Sequence, residues 1–136
     1  MSKLLSHVPT AARLLLGLIF AVFGLNGFLH FLPMPPHEGA AGAFIGGLAA
    51  AGYFFPLLKA TEIVAGLALL ANRFVPLTLV ILAPITINIL GFHALAPEGL
   101  PMALLILLLH VGLAWHQRRV FAPLLRPHVT VGAEVA

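Results

Sequence analysis

Four stretches of this chain, 12–32, 55–71, 74–95 and 100–121, are apolar almost throughout. A helix of about 20 such residues crosses the hydrocarbon core of a bilayer. That pattern restricts the fold more than any motif does: the expected architecture is all-α, a bundle of four transmembrane helices. Charge agrees, since only 8% of the residues are charged and 61% are hydrophobic, against roughly 25% charged in a soluble domain. A chain of 136 residues then holds one small bundle, drawn here as residues 1–126, followed by a flexible cytoplasmic tail at 127–136. The first apolar run is too long for a signal peptide, and no A-x-A cleavage site precedes a soluble region.

The basic residues orient the bundle. Lys3 and Arg13 flank the start of the first span, Arg73 sits in the tight turn between the second and third, and Arg118, Arg119 and Arg126 follow the fourth. The positive-inside rule therefore puts both termini and the Arg73 turn in the cytoplasm, with His37 and Glu98 outside. Between the first two spans, residues 40–53 are small and uncharged, and Gly52 and Pro56 separate them from the second span. They are expected to form a short interfacial or re-entrant helix. Gly17, Ala21 and Gly24 recur on one stripe of the first span, a seam along which another helix can approach closely. Glu62, Gly66 and Leu69 make a comparable stripe on the second. Pro84 removes a backbone bond to Val80 within the third.

With this orientation the polar side chains collect at one depth. Asn26 and His30 lie in the outer half of the first span, Lys59 and Glu62 in that of the second, and Asn88 and His93 near the outer end of the third. An ionisable group in hydrocarbon costs a few kcal/mol and normally faces the bundle interior or a wet cavity. Asn26 and His30 are about 40° apart on a helix and share a face. Lys59 and Glu62, three residues apart, can pair on their own helix; the simplest reading is a lysine that snorkels outward, capped by the glutamate. The sharper one has Glu62 facing Asn26, His30 and Asn88 across the bundle, roofed by the proline run at 33–36 and the segment after it. His93 falls about 140° from Asn88 on an ideal helix and joins them only if the helix unwinds near Gly91. His110 has no polar neighbour on its own helix, and its default is a neutral ring bonded to a backbone carbonyl.

Two stretches carry a family likeness. "ARLLLGLIFAVFGLNGFLHFLPMP" and "FPLLKATEIVAGLALLANRFVPLTLVILAPITINILGFH" resemble the DoxX/DoxD-like family of small bacterial membrane proteins, over about residues 13–121. The recurring points are Arg13, Gly17, Gly24 and the Glu62-x-x-x-Gly66 step. The resemblance implies a four-helix inner-membrane protein; one family member is a subunit of a thiosulfate:quinone oxidoreductase, and others are linked to redox and stress defence. Many members have a lysine after the last glycine of the first helix, where this chain has Gly27, Phe28 and Leu29.

The function expected is a redox-associated subunit that binds a quinone-like ring or another small ligand in a polar cavity of the outer half. Asn26, His30, Lys59, Glu62, Asn88 and His93 would line it, with Glu62 and His30 handling protons. The chain has no cysteine, which excludes thiolate-ligated metals and iron–sulfur clusters, and it carries no nucleotide or flavin fingerprint. Electrons would come from a redox partner protein. Two alternatives stand beside this reading. One is haem held by His30 and His93, or copper near Met34, Met102, His37 and His93, although no residue set is assigned to a metal. The other is a non-catalytic scaffold for membrane partners. Membrane lipid and further copies of the chain are compatible partners; nucleic acid is not.

Overall fold

The computed structural model describes residues 1–128. The tail expected at 127–136 lies, from residue 129 onward, outside the described residues. Three helices are long and apolar enough to cross a membrane: Lys3–Leu29, Val75–Leu95 and Pro97–His116. A fourth span results if the pair Gly39–Ala50 and Phe54–Leu70, bent by 93° at their junction, counts as one. The described residues are all-helical, as expected of such a bundle, and contain no strand.

Helix α1, Ser2–Leu29, starts ten residues before the apolar run and stops three residues short of its end. Its stop has a local cause. Asn26, one turn from the end, takes the Leu32 N–H on Oδ1 at 2.6 Å. His30 then turns left-handed, at φ 51° and ψ 42°, and its N–H donates to the Asn26 carbonyl at 2.9 Å. Pro33 follows at once and cannot re-enter a helix. Helix α2, Gly39–Ala50, is the short small-residue helix expected between the first two spans. Gly52, at φ 74°, makes the corner into α3, Phe54–Leu70.

Helix α3 ends in a Schellman motif. The Arg73 N–H donates to the Ala68 carbonyl at 2.8 Å and the Asn72 N–H to Leu69 at 3.2 Å, with Asn72 itself left-handed. The Arg13 guanidinium, reaching from α1, donates to the Leu69 carbonyl and, at 3.2 Å, to that of Leu70. A residue that marked only topology in the sequence thus caps a neighbouring helix. Helix α4, Val75–Leu95, leads through a short 3-10 turn at Pro97–Gly99 into α5, Leu100–His116. The fourth span ends at His116, five residues earlier than the apolar pattern suggested. There Arg118 donates to the Trp115 carbonyl at 3.1 Å and lies over its ring, 5.2 Å from the centroid. A short helix α6, Arg118–Phe121, follows.

Helices α1 and α3 form the most extensive interface. It runs along the anticipated seam: a side chain at Gly17 or Gly66 would strike the opposite backbone, and one at Gly24 would strike Ile63. Leu16 and Phe20 of α1, Leu69 of α3, and Leu79 and Leu82 of α4 are fully buried, joined by Ile106 and Leu113 of α5, with Phe23, Ile85 and Ile89 packed against them.

Candidate functional site

The register of α3 turns Glu62 inward beside Ala65, Gly66 and Leu69, so the residue is only 3% exposed. Lys59, one turn earlier, lies along α1 with its methylene stem against Gly27; any side chain at Gly27 would collide with that stem. Its ammonium meets Glu62 Oε2 at 2.8 Å. The pairing of the two on their own helix is the one that their spacing of three residues suggested. The second carboxylate oxygen, Oε1, accepts no hydrogen bond among the described residues and is not sealed off from the surroundings. It is an acceptor without a partner, close to an ammonium that has donors to spare.

The other residues expected to converge on Glu62 do not reach it. Asn26 is buried, but its amide is committed at both ends to Leu32, through Oδ1 at 2.6 Å and Nδ2 at 3.5 Å. It closes the exit of α1. His30 is exposed and bonds neither to Glu62 nor to Asn88, correcting the expected stripe. The 40° relation to Asn26 applies only while the helix continues, and His30 is the residue at which it stops. Asn88 is also exposed and its side chain donates back to the Pro84 carbonyl on its own helix at 2.9 Å, so it does not face the interior. His93 Nδ1–H donates to the Ile89 carbonyl at 2.8 Å, and its ring packs on Gly99. The described residues thus assemble Lys59 and Glu62, and distribute Asn26, His30, Asn88 and His93 elsewhere.

The roof differs as well. Helix α2 meets the end of α4 through Phe44, whose ring centroid is 6.1 Å from that of Phe92, while His37 stands edge-on to Phe92 at 5.0 Å. A cleft of about 340 Å³ lies there, lined by Pro35, Pro36, His37, Glu38 and Glu98. It contains neither Glu62 nor Lys59. Among the described residues no group of three His, Asp or Glu side chains is placed to hold a metal ion. Met34 is well exposed.

One buried polar pair escaped the sequence reading. Thr86 Oγ1 of α4 and His110 Nδ1 of α5 share a hydrogen bond of 2.9 Å, and both residues are buried. The pair stands 24 residues apart in sequence, beyond any same-helix spacing. No protein-family model matches the chain, and no curated protein or solved structure matches it either.

Proposed function

We propose that the chain is a multi-pass protein of the bacterial inner membrane, its termini and Arg73 turn cytoplasmic, that serves as a redox-associated subunit. In this reading it holds a quinone-like ring, or another small lipid-soluble ligand, against the Lys59–Glu62 pair. The observation that carries the reading is Glu62, a residue 3% exposed, with Oε2 on Lys59 at 2.8 Å and Oε1 open to its surroundings and without a partner among the described residues. An ionisable residue kept within a membrane helix at such cost is a functional site by default. At that depth Asn26, Asn88 and His93 are bonded to the backbone, whereas Glu62 keeps one carboxylate oxygen without a bond among the described residues. Lys59 offers donors to one carbonyl of a ring, and Glu62 accepts or passes on the proton that quinone reduction requires. The chain departs here from the DoxX/DoxD-like pattern it resembles: where many members carry a lysine on the first helix it has Gly27, against which the Lys59 stem packs. Neither His30 nor Asn88 takes part, and electrons come from a partner protein.

Extraction of the purified protein with organic solvent tests this. A quinone-type redox difference spectrum in the extract of the wild type, lost in Glu62→Gln while the variant stays folded, supports the reading. A blank wild-type extract sinks it.

A second reading, a scaffold for membrane partners or for further copies of the chain, draws on Asn88. An exposed amide on a span surrounded by hydrocarbon gains from a partner helix. Asn88→Leu would then abolish assembly without touching any extracted ligand, whereas Glu62→Gln would do the reverse.

A further inference from the structure

The outer face between α3 and α4 is grooved where the two helices diverge above the Arg73 turn. The groove encloses about 370 Å³. Ala60, Val64 and Ala68 form its α3 wall, and Phe74, Leu77 and Ile81 its α4 wall. Ala60 to Ala68 is eight residues, about 12 Å of helix, close to the depth of one leaflet in a core about 30 Å thick. The lining offers almost nothing to a polar ligand: the Thr61 hydroxyl is spent on the Leu57 carbonyl at 2.8 Å, and Thr78 is buried. A quinone head or a sugar has no partner there. A hydrocarbon chain needs none.

The lower end of the groove is different. Phe74 closes it, and the preceding residue is Arg73, held in the turn by its backbone bond to Ala68. The Arg73 side chain is exposed and makes no hydrogen bond or ion pair among the described residues. Arg13, the other arginine at this end of α3, is already committed to the Leu69 and Leu70 carbonyls. An apolar trough about one leaflet deep, with an uncommitted arginine next in sequence to Phe74 of its wall, is complementary to a phosphate joined to an acyl chain.

We propose that the α3–α4 groove is a binding site for an anionic phospholipid, with one acyl chain along Ala60–Ala68 and its phosphate on Arg73. The site is separate from the Lys59–Glu62 pair and does not depend on it. Native mass spectrometry of the full chain, released from detergent after incubation with phosphatidylglycerol or phosphatidylcholine of identical chains, tests the proposal. One phosphatidylglycerol per chain should be retained in preference to phosphatidylcholine. Arg73→Gln should weaken that preference about fivefold, the effect of one cation at an anionic surface. Ala68→Leu and Ala60→Leu, which fill the trough, should lower retention of both lipids, with folding checked by helix content and a single elution peak. Equal retention of the two lipids, unchanged by Arg73→Gln, would mean ordinary lipid contact and overturn the proposal. So would disulfide formation between copies carrying Val64→Cys and Leu77→Cys, which would make a second copy the occupant.

Discussion

Replacing Gly66 by alanine should push α3, the helix that carries the ion pair, away from α1. A Cβ built on Gly66 lies 2.5 Å from the Ala21 nitrogen, 2.7 Å from the Gly17 carbonyl oxygen and 2.9 Å from the Ala21 Cα. All three are backbone atoms of α1, so no flexible side chain can give way. Contact distances of about 3.5 Å require α3 to retreat by about 1 Å, and a gap of that size forfeits up to half of each dispersion contact along the seam. Overpacking costs about 1–3 kcal/mol; with the most extensive interface of the bundle affected, about 2–3 kcal/mol is expected here. Gly17→Ala meets the same interface, its Cβ lying 2.9 Å from both the Gly66 carbonyl oxygen and Leu69 Cβ. One retreat relieves both clashes, so the double variant should cost less than the sum of the singles, with a coupling of about 1 kcal/mol or more. Gly112 is the control: nothing lies within 4 Å of a Cβ there, and Gly112→Ala should be neutral or gain up to about 1 kcal/mol from helix propensity. Unfolding of the purified protein in mixed micelles, titrated with SDS, measures all four. A Gly66→Ala variant as stable as wild type, or strict additivity with Gly17→Ala, would refute the packing argument.

Two further outcomes separate structural from ligand-binding roles. Asn26→Ala should destabilise the fold by about 1–2 kcal/mol, because the Leu32 N–H loses its acceptor, while ligand bound at Glu62 stays put; SDS titration and solvent extraction of the same preparation measure the two effects. Thr86→Val and His110→Leu should each cost about 1 kcal/mol, and the double variant less than their sum, as a double-mutant cycle of unfolding free energies would register.

Residues differ in how plainly the sequence announced them. The spans were legible because a helix in lipid must be apolar over its whole length, and the corner before α3 because Gly52 interrupts a run of small residues. The close approach of α1 and α3 followed from Gly17, Ala21 and Gly24 on one stripe, with Gly66 opposite. The Lys59–Glu62 pair followed from a spacing of three. The wider site was not legible, for a different reason at each residue. His30 was placed by helical periodicity, but Asn26 ends the helix at Leu29 and periodicity lapses with it. Asn88 sits in a helix so uniformly apolar that nothing in its pattern separates interior from lipid, and its amide is spent on the i−4 carbonyl of its own helix. Thr86 and His110 meet only through the packing of α4 on α5. Arg13 revealed its charge in the sequence but not the α3 terminus it caps.

Titration of a short-chain quinone into the purified protein tests the role of the buried pair most directly. Dissociation constants are compared for the wild type, Glu62→Gln and Lys59→Met, each confirmed as folded. Removing one charged partner of a ligand hydrogen bond is worth about 1.5–3 kcal/mol, so binding should weaken by about 10- to 100-fold in both variants. His30→Ala, at an exposed residue outside the pair, should bind as the wild type does. Equal affinity in the wild type and Glu62→Gln would contradict a ligand site at Lys59–Glu62 and leave the pair as a packing element of the α1–α3 seam.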